Sequence, residues 1–209
     1  MSALHARLVV STGAARHFSR NETIFDQDDR SDQFFKIVAG TVRLCRHLPS
    51  GRRQIVEFAM PGDLIGLVDA PFQTLAAEAV TPATVIGFSR DRLERSASGD
   101  PDLRADMCVL YLEKLRNTQR HICLLGHASA KQRMAAFLLR MAGLVSPRPD
   151  GTFDLPMSRL DIADHLGLTV ETVSRAVTAL KGDGLVRTTA AHRFALCDAA
   201  ALRALATEA

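Results

Sequence analysis

The chain has 209 residues, 47% of them hydrophobic and 23% charged. That composition can bury one large core or two modest ones, and it is too apolar for a disordered chain. The net charge of +3 arises entirely in residues 101–209, which permits a nucleic-acid partner without demanding one.

At the N-terminus, "MSALHARLVVSTG" has only a short apolar core after Arg7, too little for a signal peptide. No apolar run approaches the ~20 residues of a membrane span. A cytoplasmic protein with no membrane partner is expected. Residues 1–100 read as short strands broken by turns. "FFKIVAG", "TVRLCRH", "RQIVEFAM" and "ATVIGF" are rich in β-branched and aromatic residues, with Gly or Pro between them. Gly40, Gly51 and Gly62 fall at equal spacing, as a strand plus a tight turn would repeat, and "PSGR" and "MPGD" are hairpin signals. The run predicts a closed or rolled antiparallel sheet, although other all-β modules fit the same text.

From Pro101 the pattern becomes helical, with Asp100 able to cap and Asp102 and Asp106 near the positive end of the dipole. The spacing predicts one helix over 101–126. Met107, Tyr111, Leu115, Ile122 and Leu125 recur on it, with Cys108, Leu110 and Leu112 beside them. So broad an apolar surface can rest on the β-domain with one side and meet a second copy with the other. A homodimer is therefore expected, with a helix buried inside a monomer as the alternative. Cys108 and Cys123 are assigned to core packing, a redox-sensitive interface thiol being the alternative. His121 and His127 read as surface or interface groups. The four cysteines, Cys45 and Cys197 included, contain no C-x-x-C pair, so neither a disulfide framework nor a metal site is predicted.

Residues 127–209 form the third segment. "SAKQRMAAFLLRMAGL" reads as a helix with Ser129 and Gln132 as a capping box, and "SPRPDG" as a loop. Ser158 and Asp161 form a second capping box opening a helix that Gly167 ends; Thr169 then caps another. At about 100° per residue, Glu171, Ser174, Arg175 and Thr178 share one stripe, while Val173, Val177 and Leu180 lie opposite. Two short helices joined by a tight glycine turn make a helix-turn-helix, and "LVRTT" and "RFALC" add the strands of a wing. The stripe has base-reading chemistry: Arg175 can donate twice to guanine, Glu171 can accept from cytosine, Val170 can touch a thymine methyl and Ser174 can bond to either partner. Ser158, Thr169 and Thr172 near helix N-termini, and Arg187 or Arg193 in the wing, are candidates for phosphate contact. The bland alternative is an exposed Glu171–Arg175 pair that only stabilises its helix, by about 0.2–0.5 kcal/mol.

These residues resemble the superfamily of cyclic-AMP receptor protein and FNR transcription regulators. "ETIFDQDDRSDQFFKIVAGTVRLCR" and "GRRQIVEFAMPGDLIGL" are similar to its β-roll, and "LPMSRLDIADHLGLTVETVSRAVTALKGDGLV" to its DNA-binding domain, near the FNR and FixK branch. The resemblance implies an α+β chain: a cyclic-nucleotide-binding-like β-roll, a long dimerisation helix and a winged helix-turn-helix. It implies a homodimer on a TTGAT-N4-ATCAA site, with Arg175 on the guanine, Glu171 on its paired cytosine, and thymine contacts from Val170 and Ser174. It further implies RNA polymerase as a partner and a role as activator of low-oxygen or nitrogen-oxide genes. No enzyme is expected, since phosphate-loop, metal-cluster and nucleophile motifs are missing. Family members that bind cyclic nucleotides hold the phosphate with an arginine late in the roll, but residues 63–89 here contain no Lys or Arg. Cyclic AMP is accordingly not expected. Nor is an iron–sulfur cluster, because the first cysteine, Cys45, lies within the roll rather than ahead of it. Haem stays open, since some relatives bind it and the chain has seven histidines. A small-molecule or haem sensor, with DNA binding conditional on a ligand in the roll, is the alternative function.

Overall fold

The computed structural model describes residues 13–68 and 70–207. Apart from Gly13, the N-terminal stretch weighed as a leader lies outside them. The chain divides into two compact units, Met1–Asn117 and Thr118–Ala209, so the division falls inside the long helix rather than at either end.

The first unit holds strands β1 (Ala15–Phe18), β2 (Thr23–Phe25), β3 (Gln33–Ala39), β4 (Val42–His47), β5 (Arg53–Ala59), β6 (Leu64–Ile65), β7 (Ala76–Ala79) and β8 (Ala83–Ser89). They form two antiparallel sheets, ordered β1-β8-β3-β6 and β2-β7-β4-β5. Alternate residues from both sheets, Phe35 and Ile37, Val42 and Leu44, Ala77 and Ala79, Ala83 and Val85, point into one shared core. Phe25 and Phe35 stack there with centroids 5.7 Å apart. The predicted turn glycines are left-handed, with φ of 85° at Gly40, 77° at Gly51 and 100° at Gly62. Gly40 is further constrained by close approach, because a Cβ there would lie 2.3 Å from the Pro82 carbonyl.

Helix α1 (Arg90–Gly99), capped by Ser89, follows β8. The sequence reading passed over it because its periodic apolar content is little more than Leu93 and Ala97. These two residues, with Leu103, pack against Phe34, Leu64 and Phe88 on one face of the first sheet.

Helix α2 (Pro101–His127) begins with Asp100 Oδ1 accepting from the Asp102 and Leu103 N–H groups, both at 3.0 Å. Its apolar residues separate into two faces, which corrects part of the sequence reading. Met107 packs with Leu110 on the α1 cluster, and Leu125, in the second unit, is half-buried. At 100° per residue, 103, 107, 110 and 125 fall together, away from 108, 112, 115 and 122. The outward face is apolar: Tyr111, Leu112, Leu115 and Ile122 are 40%, 50%, 52% and 62% exposed. Cys108 and Cys123 are exposed too, so neither packs in a core.

The second unit comprises α3 (Ala130–Leu144), β9 (Phe153–Asp154), α4 (Arg159–Leu166), α5 (Val170–Gly182), β10 (Val186–Ala190), β11 (Arg193–Leu196) and α6 (Ala199–Thr207). The strands pair in the order β10-β11-β9. Met134, Phe137, Leu138 and Met141 of α3 are buried, as are Ile162 and Leu166 of α4 and Val173, Val177 and Leu180 of α5. The sequence reading missed β9 and α6. In α6, Asp198 accepts from the Ala201 N–H and Leu202 is fully buried, the helix packing on α3. His121 is half-buried rather than superficial, its ring stacked on that of His165 with centroids 4.4 Å apart. Among the described residues no helix is long and apolar enough to cross a membrane.

Candidate nucleic-acid interface

Three local devices set the pose of α5. Ser158 caps α4, its hydroxyl donating to Asp161 Oδ2 at 2.7 Å while it accepts from the Asp161 N–H. Gly167 ends α4 at φ 63°, ψ 40°, the left-handed conformation a glycine adopts without strain. Thr169 opens α5 by accepting from the Thr172 N–H. Arg133 of α3 ties these devices to the end of α2. Its Nε donates to Ala128 O at 2.9 Å, Nη1 to Leu166 O at 2.9 Å and Nη2 to Leu125 O at 2.8 Å. Leu125 and Leu166 are last-turn carbonyls of the kind left without an intrahelical partner, and Ala128 lies just beyond α2.

On α5, Val173, Ala176, Val177 and Leu180 are buried, while Glu171, Ser174, Arg175 and Thr178 are exposed on the other side. Val170 is half-buried at the helix start. Ser174 Oγ donates to Val170 O at 3.0 Å, and Thr178 Oγ1 to Ser174 O at 3.1 Å. Arg175 Nη2 donates to Thr172 Oγ1 at 3.1 Å, which in turn lies 3.1 Å from Thr169 Oγ1. Hydrogen bonding at its own backbone and from Thr169, then the Arg175 charge, holds the Glu171 carboxyl below the usual range. Glu171 is thus an acceptor and Arg175 a donor, side by side on one exposed face.

The phosphate candidates divide. Thr169 and Thr172 sit together at the start of α5. Ser158 is apart on α4, its hydroxyl committed to Asp161. Arg193 is tied by Nε to Asp154 Oδ1 at 2.8 Å, and this hydrogen bond raises its pKa. Arg187 is exposed on β10.

One basic residue escaped the sequence reading. Arg159 lines a cleft of about 380 Å³ between α5 and the β10–β11 turn, with Ser174, Thr178, Lys181, Thr188 and Thr189. Its guanidinium lies 5.4 Å from the Phe194 ring centroid, and its Nη1 is buried without a hydrogen-bond partner. The cleft thus offers two cations and several hydroxyls to an anion. Its sequence signal was only an Arg after the cap serine, a position the capping box of Ser158 and Asp161 leaves unspecified.

Comparisons with known proteins place this geometry in a family setting. Residues 132–205 match the Crp-like helix-turn-helix domain, and residues 15–99 the cyclic nucleotide-binding domain. The nitrogen fixation regulation protein FixK of Azorhizobium caulinodans is 37% identical over 98% of this chain and 84% of its own length. FixK of Bradyrhizobium diazoefficiens is 40% identical over 83% of this chain and 74% of its own. The structure of FixK2 from Bradyrhizobium japonicum superposes with a TM-score of 0.89 at 35% identity, covering 93% of this chain and 98% of that one.

Proposed function

The chain belongs to the CRP/FNR family of transcription regulators, in its FixK branch, and on that premise we propose that it works as a cytoplasmic homodimer on a TTGAT-N4-ATCAA-type DNA site. The family consists of DNA-binding regulators rather than enzymes. The observation that carries the proposal is the exposed stripe of Glu171, Ser174 and Arg175 opposite the buried Val173, Val177 and Leu180. Arg175 reads guanine through two donors and Glu171 accepts from its paired cytosine. Val170 and Ser174 contact thymine, each good contact contributing about 1–3 kcal/mol of discrimination. Thr169, Thr172 and Arg159 face phosphate, which positions the reader without specifying sequence. The apolar face of α2 at Leu112, Leu115 and Ile122 supports pairing with a second copy, which sets two recognition helices ~34 Å apart.

This reading assigns the roll no cyclic nucleotide. What supports this is that residues 63–89 contain no Lys or Arg to meet a phosphate. It also assigns no iron–sulfur cluster. RNA polymerase as partner and low-oxygen or nitrogen-oxide genes as targets complete the proposal; the FixK relatives support the regulator role, their names speaking of nitrogen fixation regulation. The test is competition gel-shift with Arg175→Ala. Loss of preference for the TTGAT site, with salt-sensitive general binding retained, is expected; unchanged preference would remove Arg175 from the reading role.

A further inference from the structure

On β4, Cys45 and His47 are two residues apart and so share one face of the sheet. Glu78 of the neighbouring β7 pairs with Arg43, which places it on that face as well. Cys45 Sγ lies 3.8 Å from His47 Nε2, and His47 Nε2 lies 3.3 Å from Glu78 Oε1. The three donor atoms are all within 4.8 Å of one another. Around a tetrahedral ion with bonds of about 2.0–2.3 Å, donor atoms stand roughly 3.3–3.8 Å apart. Two edges of the triangle already have that length.

The surroundings orient the donors. Arg43 contacts Glu78 Oε2 through Nε at 2.7 Å and Nη2 at 2.6 Å, and Arg53 approaches the same oxygen at 3.5 Å. These three guanidinium contacts are to Oε2, while Oε1 lies 3.3 Å from the imidazole Nε2, as in a ligating carboxylate held from behind. Cys45 is fully buried and Glu78 nearly so, whereas the His47 side chain is half exposed and offers a path of entry.

We propose that Cys45 Sγ, His47 Nε2 and Glu78 Oε1 form a three-ligand site for a borderline-soft divalent transition ion of the zinc class, with water as fourth ligand. Two ligands alternate on one strand and the third comes from another, a pattern that cysteine spacing alone does not reveal. Binding follows Cys–SH + M²⁺ → Cys–S⁻–M²⁺ + H⁺, with the proton going to solvent. The ion therefore adds one net positive charge beside the two arginines, and the Glu78 carboxylate offsets part of it. Because binding releases the thiol proton, affinity should rise with pH.

Cobalt(II) titrated into the reduced full-length protein tests the site. One ion per chain is expected, with a thiolate-to-cobalt charge-transfer band that grows from pH 6 to pH 8 and that Zn²⁺ abolishes. Cys45→Ser should remove the band. His47→Ala, at an exposed position that folding tolerates, should weaken binding by at least about tenfold. A protein carrying Cys108→Ser, Cys123→Ser and Cys197→Ser should keep the band. The proposal is overturned if the parent protein gives no band, if Cys45→Ser retains it, if His47→Ala binds unchanged, or if the triple variant loses it.

Discussion

Arg133→Met keeps an aliphatic stem of similar reach and deletes the three donors that join the ends of α2 and α4. Each donor meets a carbonyl in or just beyond the last turn of α2 or α4 at 2.8–2.9 Å. Hydrogen bonds to a charged group contribute about 1.5–3 kcal/mol each where water is excluded. Arg133 is half-buried, so water replaces part of what is lost, and about 3 kcal/mol in total is the reasonable expectation. For a domain of this size, roughly 4–8 °C per kcal/mol converts that to a fall of about 12–24 °C in the transition of the second unit. Arg133→Lys, with the charge but not the fork, should fall between parent and Met variant. Because Leu166 immediately precedes the Gly167 turn, DNA affinity should fall in the same order. Calorimetry of the full chain and gel-shift titration measure both effects. A Met variant melting within about 2 °C of the parent would refute the assignment of Arg133 as the brace of this turn.

Three further outcomes follow from the same geometry. Leu115→Glu with Ile122→Glu alters four side chains in a dimer; burying the exposed half of each contributes about 1 kcal/mol, so dissociation should rise about a thousandfold, and sedimentation showing an unchanged dimer would contradict the outward face as the pairing surface. His121 has its pKa lowered, chiefly by burial and then by the Arg140 charge. The unfolded chain therefore takes up its proton first, so stability is complete above about pH 6.5 and declines as pH falls from there through the lower folded value; His121→Phe should flatten that slope in pH-dependent melting. Arg159→Ala should weaken binding to all duplexes alike and reduce the log–log salt slope by about 0.9, and a sequence-selective loss instead would move Arg159 out of the phosphate role.

The features legible in the sequence were those written in local chemistry. Both capping boxes, the Gly167 turn, the Thr169 cap and the division of α5 into buried and exposed sides follow from residue type and a 100° step. Strands β3, β4, β5 and β8 follow from β-branched content and left-handed glycines, whereas the short β1, β2 and β6 and the alanine-rich β7 do not stand out locally. Tertiary partners were not legible. Met107 and Tyr111 are both apolar and both periodic on α2, yet one covers Phe34 and Phe88 while the other is exposed. His121 reads as a surface or interface residue because nothing local announces His165, far along the chain, as its stacking partner. Arg159 and the Cys45–His47–Glu78 triangle are likewise made by strands and helices meeting, not by spacing.

Selection from a pool of random duplex DNA puts the central claim to its most direct test. With the purified protein as bait, the account predicts enrichment of an inverted repeat whose half-sites contain a G·C pair and stand about one helical turn apart, ~34 Å. Recovery of a single half-site, a direct repeat or no motif would contradict it.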